Sequence, residues 1–317
     1  MYKMKKTYLK IFILLTTFTF IVISFFFHFQ YMEQPFFGTI ENIAVQRHRK
    51  HVVKYVCQQN NMTNSSKTYT LPLDIAKRLF VEHNYKLIYC EVPKVGCSNW
   101  KRIILLLNVN ATATADDLKH DAVHTTLLLK RLSDYSSAEQ RQFFNNYTKV
   151  MFTRDPMNRL VSAYRDKLHH DEPYYGKKLV HTIKGMFRED INSTEKVTFE
   201  EFVQFILQEK TKYRDIHWKP MYQLCDPCNI HYDIIGKYET MNQDAEYVLK
   251  TIRAPKHLKY PSIKHYPDES RTNEKMTADH FKNLSSVILK GLLYLYRHDF
   301  SMFEYSPIEM TNFTNLK

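Results

Sequence analysis

Short apolar runs and helical patterns alternate along the middle of this chain. Three segments, Lys86–Val92 (KLIYCEV), Lys149–Thr153 (KVMFT) and Tyr232–Lys237 (YDIIGK), are nearly continuous in apolar residues, which marks strands buried on both faces. Each leads into a helical pattern: Asn99–Leu107, Met157–Leu168 and Gln243–Ile252. Glu200–Leu207 and Phe281–Tyr296 predict two further helices. Strands alternating with helices predict an α/β fold, a parallel sheet covered by helices on both faces. Ligands in such sheets sit beyond the C-terminal ends of the strands. The loops after the first two strands are therefore the candidate site.

A different pattern occupies the N-terminus. Ile11–Phe27 carries no charge, and with Leu9 and Phe29 the apolar stretch reaches ~20 residues, the length that spans a bilayer as a helix. The run ends in Phe25-Phe26-Phe27-His28-Phe29, too bulky for a signal-peptide cleavage site. Lys3, Lys5, Lys6 and Lys10 precede it, which places the N-terminus in the cytosol. The expected organisation is a cytosolic tail (1–10), a transmembrane signal-anchor (11–29), a stem (30–70) and a luminal domain (71–317), a single-pass type II arrangement. Asn-x-Ser/Thr acceptors at Asn61, Asn64, Asn110, Asn146, Asn192, Asn283 and Asn312 agree with a luminal chain.

Composition narrows the function. With 44% hydrophobic and 25% charged residues, the chain is neither a disordered tail nor a collagen-like fibre. Six glycines argue against a glycine-rich dinucleotide loop, and five cysteines are too few for a disulfide-built miniprotein. Net charge is +12, and the four lysines ahead of the apolar run leave +8 on the remainder. Such a surplus attracts polyanions, which in a secretory lumen are acidic glycans rather than nucleic acid.

The two strand-end loops carry the candidate chemistry. The first is Pro93-Lys94-Val95-Gly96-Cys97-Ser98-Asn99-Trp100-Lys101-Arg102. A loop wrapping a helix start presents unpaired N–H groups to an anion, and Lys94 and Ser98 add a charge and a hydroxyl. The second runs Arg154-Asp155-Pro156-Met157-Asn158-Arg159-Leu160-Val161-Ser162, continuing to Lys167. Asp155 suits an N-cap and Pro156 the first helical position, which leaves Arg154 at the strand edge with a fork suited to phosphate. Arg159, Ser162 and Asp166 recur at helical spacing. Two anion sites in one sheet suggest a ligand with two separated phosphates. A Walker A sequence and an obvious carboxylate pair for Mg²⁺ are both missing, which counts against a nucleotide-triphosphate kinase.

Together these motifs resemble those of the Golgi carbohydrate sulfotransferases that include the HNK-1, GalNAc-4-O and chondroitin/dermatan 4-O enzymes. The similarity continues through His217-Trp218, Leu224–Asp233, Gly236–Thr240 and Asp299-Phe300, covering about residues 71–306. Chondroitin 4-O-sulfotransferases look nearest, which makes position 4 of GalNAc in chondroitin or dermatan the expected acceptor. Another glycan acceptor, such as terminal GalNAc or HNK-1-type glucuronate, and a catalytically inactive acidic-glycan-binding protein are the alternatives.

The resemblance implies a P-loop-like fold and 3′-phosphoadenosine 5′-phosphosulfate (PAPS) as co-substrate, with no metal. Pro93 to Asn99 match the segment that cradles the 5′-phosphosulfate. Arg154 to Ser162 match the segment that holds the 3′-phosphate, with Arg154 and Ser162 foremost. Gly96 and Ser98 stand where many relatives have Ala and Thr, and Met157-Asn158 replaces Phe-Glu. Lys94 is expected to offset charge on the leaving phosphate oxygen. A general base is also needed. His124, which aligns with the base of uronyl 2-O-sulfotransferases, is the first candidate, His217 the second and Glu91 a third. Arg165, Lys167, Lys177 and Lys178 are candidates for binding an acidic glycan or proteoglycan. Cys57, Cys225 and Cys228 are the expected disulfide members, with Cys90 and Cys97 as free thiols. A zinc site from His217, Cys225, Cys228 and His231 is the competing reading of that cluster.

Overall fold

A computed structural model of the chain describes residues 40–64, 70–109, 114–118, 120–170, 173–264 and 266–306. The expected tail and membrane anchor lie outside them. No helix among the described residues is long and apolar enough to cross a membrane. The chain divides into two units, 1–48 and 49–317. Of the first, residues 40–48 are described and are helical.

The second unit is built on a five-stranded sheet of order β3-β1-β2-β4-β5. The strands are β1 (Leu79–Glu82), β2 (Leu87–Cys90), β3 (Lys130–Arg131), β4 (Thr148–Thr153) and β5 (Ile234–Lys237). The three expected strands are β2, β4 and β5, and they pair in parallel, with Cys90 opposite Met151 and Phe152 opposite Gly236. The sheet as a whole is mixed rather than parallel, because β1 pairs antiparallel with both β2 and β3. The cause is a tight turn at residues 83–86. Buried Glu82 accepts the backbone N–H groups of Asn84 and Tyr85, which folds β1 straight back onto β2.

β2 is buried along its whole length, so its side chains must be apolar on both faces. The helix Cys97–Val109 covers one face through Trp100, which stacks on Tyr89 with ring centroids 5.5 Å apart and lies 5.0 Å from Phe152. Gly236 has no room for a side chain, since a Cβ there would come within 2.2 Å of the Phe152 ring. A second apolar cluster joins the helices Pro156–Tyr164, Phe199–Gln208 and Ser286–Leu295 around Trp218, Phe202 and Phe281. The helix expected over Phe281–Tyr296 is broken. One helix ends at Phe281, and Ser285 caps the next by accepting the Ile288 N–H.

Residues 49–59, within the expected stem, are helical and attached to the sheet. Arg49 donates to the Ile235 carbonyl on edge strand β5 at 2.8 Å and pairs with Asp244 at 2.9 Å. Cys57 is bonded to Cys228 and Cys90 to Cys225. Cys90, expected as a free thiol, is thus a disulfide member; it ends β2 and meets the short helix Met221–Cys225. Cys97 is free. With Cys225 and Cys228 oxidised, the zinc arrangement loses both thiolates.

The Cys57–Cys228 bond spans 171 residues. Replacing both cysteines with serine is expected to lower the unfolding free energy by about 2–5 kcal/mol. A denaturant midpoint unchanged from wild type under non-reducing conditions would contradict this.

Candidate active site

The loops after β2 and β4 open into one cleft of about 730 Å³. In the first loop, Lys94 (φ +69°) and Gly96 (φ +78°) adopt left-handed backbone on either side of Val95. Such alternation turns successive N–H groups to one side and makes an anion-binding concavity. The helix Cys97–Val109 adds the N–H groups of Cys97 and Ser98, which precede the bonds of Asn99 and Trp100 to the Gly96 carbonyl at 3.1 and 3.2 Å. Gly96 is required twice over. Its φ disfavours side chains, and a Cβ would meet the Tyr260 hydroxyl at 2.3 Å.

The second loop behaves as its sequence predicts. Asp155 caps the helix Pro156–Tyr164 by accepting the N–H groups of Met157 and Asn158. Arg154 is thereby left at the end of β4, 3% exposed. It donates to the Lys94 carbonyl at 3.0 Å and the Thr272 carbonyl at 3.0 Å, with its guanidinium 4.1 Å from the centre of the Tyr238 ring. The two loops are therefore in direct contact.

Of the second segment, Arg154 and Ser162 line the cleft and the other residues do not. Pro156, Met157, Leu160 and Val161 are buried, and Asn158 accepts the Thr277 hydroxyl. Arg159, 1% exposed, faces inward and donates to the carbonyls of Pro93, Lys219 and Ile216 at 2.8–2.9 Å. It is a strut that holds the first loop, not a cleft residue. In the first segment Val95 is fully buried, while Pro93, Lys94, Gly96, Cys97, Ser98 and Asn99 line the cleft.

The helix after Arg154 ends in a π-helical turn, Arg165–His169, where the sequence suggested an unbroken α-helix to Leu168. The turn presents Asp166 between two cations, with Lys94 at 3.2 Å and Lys167 at 3.1 Å. Burial favours the neutral carboxyl, but the two ammonium groups prevail and hold Asp166 down to about 2. Burial lowers Lys94, with Asp166 opposing.

Both candidate histidines line the cleft. His124 sits with Nε2 3.0 Å from the Ser98 hydroxyl and Nδ1 3.1 Å from the Lys101 ammonium. His217 has Nδ1 2.7 Å from the Asp215 carboxylate and 3.0 Å from the Tyr175 hydroxyl. Burial lowers its pKa and Asp215 works against that shift. Glu91 is committed elsewhere, to Lys101 (2.5 Å), Arg78 (3.0 Å) and Arg131 (3.2 Å). Although burial would raise it, those three cations hold it at about 2.

The sequence did not expose the remaining wall. Residues 252–273 contain no helix or strand among those described, yet they close one side of the cleft. Asn99 donates to the Pro261 carbonyl at 2.8 Å, Tyr260 to the Gly96 carbonyl at 3.2 Å, and Arg165 to the Ser270 carbonyl at 3.1 Å. Arg165 lines the cleft with its guanidinium engaged by this strap, at the Ser270 carbonyl and the Glu269 carboxylate. Lys167 lines the cleft, whereas Lys177 and Lys178 are exposed outside it. The length of this strap, carrying Pro255, Pro261 and Pro267, was the available signal. Among the described residues, seven Lys and Arg side chains line the cleft against three carboxylates. Among the described residues no group of three metal-ligating side chains occurs.

Arg159→Ala would leave three carbonyls without their partner, one buried and two half-buried, at a cost of about 3 kcal/mol. A lowered thermal midpoint is therefore expected for Arg159→Ala, with the midpoint of Ser162→Ala unchanged. Equal midpoints in the two variants would remove the strut from the account.

The Sulfotransferase family matches residues 77–306. Carbohydrate sulfotransferase 8 of Mus musculus is 38% identical over 82% of this chain and 64% of its own length. Carbohydrate sulfotransferase 11 of Rattus norvegicus is 34% identical over 87% of this chain and 81% of its own. Carbohydrate sulfotransferase 14 of Danio rerio is 36% identical over 84% and 73%. The chain thus spans slightly under two thirds of the first of these relatives. No solved structure matches it.

Proposed function

The chain belongs to the sulfotransferase family, and on that premise we propose that it transfers the sulfuryl group of PAPS to a hydroxyl of a glycan. One observation carries the reading: the 3.0 Å bond from Arg154 to the Lys94 carbonyl joins the loops after β2 and β4 in a single cleft. The excess of cations over carboxylates there suits a donor with phosphates at both ends. PAPS supplies an activated sulfuryl group when bound. The segment Pro93 to Asn99 would hold its 5′ end through backbone N–H groups and the Ser98 hydroxyl. Arg154 and Ser162 would hold the 3′-phosphate. The Lys94 ammonium would offset charge growing on the leaving oxygen.

Position 4 of GalNAc in chondroitin or dermatan is the acceptor favoured by the motif resemblance. Terminal GalNAc and HNK-1-type glucuronate are the other members of that class. Placement of residues 71–317 in the Golgi lumen, behind an anchor at 11–29, is supported by two disulfides and by exposed sequons at Asn61, Asn64, Asn146, Asn192 and Asn283. The inactive glycan-binding alternative shares the basic cleft but not a need for Lys94.

Full-length protein incubated with sulfur-labelled PAPS and a panel of desulfated glycans should incorporate label into at least one of them. Lys94→Ala should lower kcat by about 10²–10³-fold. Ser162→Ala should weaken binding of the product nucleotide by roughly tenfold or more, the loss of one hydrogen bond to a charged group. Glycan binding with no incorporation would favour the inactive reading, and undiminished turnover in Lys94→Ala would remove its assigned role.

A further inference from the structure

We propose that the acceptor's proton is taken by His217, oriented by Asp215 and Tyr175, and that His124 serves instead to orient Ser98. The inference rests on the sulfuryl-transfer reading of the cleft and assigns roles within it.

The two rings differ in which nitrogen carries the proton. An ammonium group donates and never accepts. Lys101, paired with Glu91 at 2.5 Å, is an ammonium, so His124 Nδ1 accepts from it at 3.1 Å. The proton of neutral His124 then lies on Nε2, which donates to the Ser98 oxygen at 3.0 Å. Both nitrogens are engaged, and protonating the ring would set a second cation against Lys101. His124 in this arrangement is a donor that fixes the Ser98 hydroxyl in the loop.

At His217 the neighbours are reversed. A carboxylate only accepts, so Nδ1–H donates to Asp215 at 2.7 Å. Tyr175 donates to the other carboxylate oxygen at 3.1 Å and packs edge-on against the ring at 5.4 Å, and the Asp215 carboxylate also accepts the His217 backbone N–H at 2.8 Å. The lone pair is thereby placed on Nε2, on the far side of a ring that lines the cleft. This pairing fixes the tautomer and stabilises the imidazolium once it forms. The charged groups facing the ring are Asp215, Lys167 and Lys94, with Asp166 beyond them between the two lysines. Burial and the two cations favour neutral imidazole at rest, and Asp215 moderates that preference.

The step balances within the two substrates and this side chain. As the acceptor oxygen bonds to sulfur, its proton passes to His217 Nε2. The bond from sulfur to the 5′-phosphate oxygen breaks, and its electron pair leaves with that oxygen beside Lys94. The imidazolium, held against Asp215, later returns its proton to water.

The test is the pH profile of kcat and kcat/KM for full-length protein, using PAPS and whichever desulfated glycan wild type sulfates. Binding of the product nucleotide and thermal midpoint are measured for every variant. His217→Ala should lose about 10²–10⁴-fold in kcat while binding the nucleotide as wild type does. Asp215→Asn should lower kcat at least tenfold and move the acid limb of the profile to lower pH, since the carboxylate that holds the histidine's affinity for protons up is gone. Tyr175→Phe, a milder change that keeps the ring, should lower kcat several-fold. His124→Gln should raise KM for PAPS and leave the acid limb of the profile in place. Near-normal kcat in His217→Ala, or loss of the acid limb in His124→Gln, would overturn the assignment. An Asp215→Asn profile unchanged in position would remove Asp215 from its role. Absence of transfer by wild type would instead overturn the sulfotransferase reading, and this inference with it.

Discussion

The cleft depends on two buried guanidinium groups that bind backbone rather than carboxylate. Arg159 gathers carbonyls from the loop after β2 and from residues 216–219, and Arg154 gathers one from the same loop and one from the strap. Burial disfavours both charges, but arginine keeps its proton throughout the physiological range. Several well-aimed carbonyl dipoles offset part of the desolvation cost, and at Arg154 the face of Tyr238 contributes further. A hydrophobic side chain could fill either space. It could not hold three separate chain segments at a common point, and the juxtaposition of the two strand-end loops requires that.

This division of labour separates two arginines that look alike in sequence. Both lie in the segment Arg154–Ser162, and both would suit phosphate. Their different fates follow from the helix start between them. Asp155 fixes where the helix begins, so Arg154 stays at the strand end facing the cleft while Arg159, one turn in, faces the protein. The π-helical turn that follows shifts the register again and brings Asp166 and Lys167 to the cleft.

The three parallel strands, their helices and the two loops were legible because each rests on a local signal: an apolar run, a cap, a charge at a strand end. The features that escaped depend on distant partners. β1 has four residues and β3 two, too few to show a period, and both are defined by pairing. Cys90 reads as a strand residue, and only the approach of the helix Met221–Cys225 makes it a disulfide partner. The break before Ser285 was visible in principle as a capping serine, but the apolar run around it favoured one long helix. Asp215 and Tyr175 stand 40 residues apart, and nothing in either segment alone indicates that they share His217.

The strap shows why such walls are hard to read. It is fastened largely through its own carbonyls, those of Pro261, Ser270 and Thr272, to side chains of Asn99, Arg165 and Arg154. A backbone carbonyl is present whatever residue carries it, so these bonds impose little pattern on the strap's sequence. The constraint falls on the opposite partner, whose amide or guanidinium cannot be exchanged. The cleft's shape is therefore encoded mainly in the two loop segments, while residues 252–273 are held by them. That asymmetry accounts for a functional wall without a recognisable motif, attached to a pair of loops whose motifs are plain.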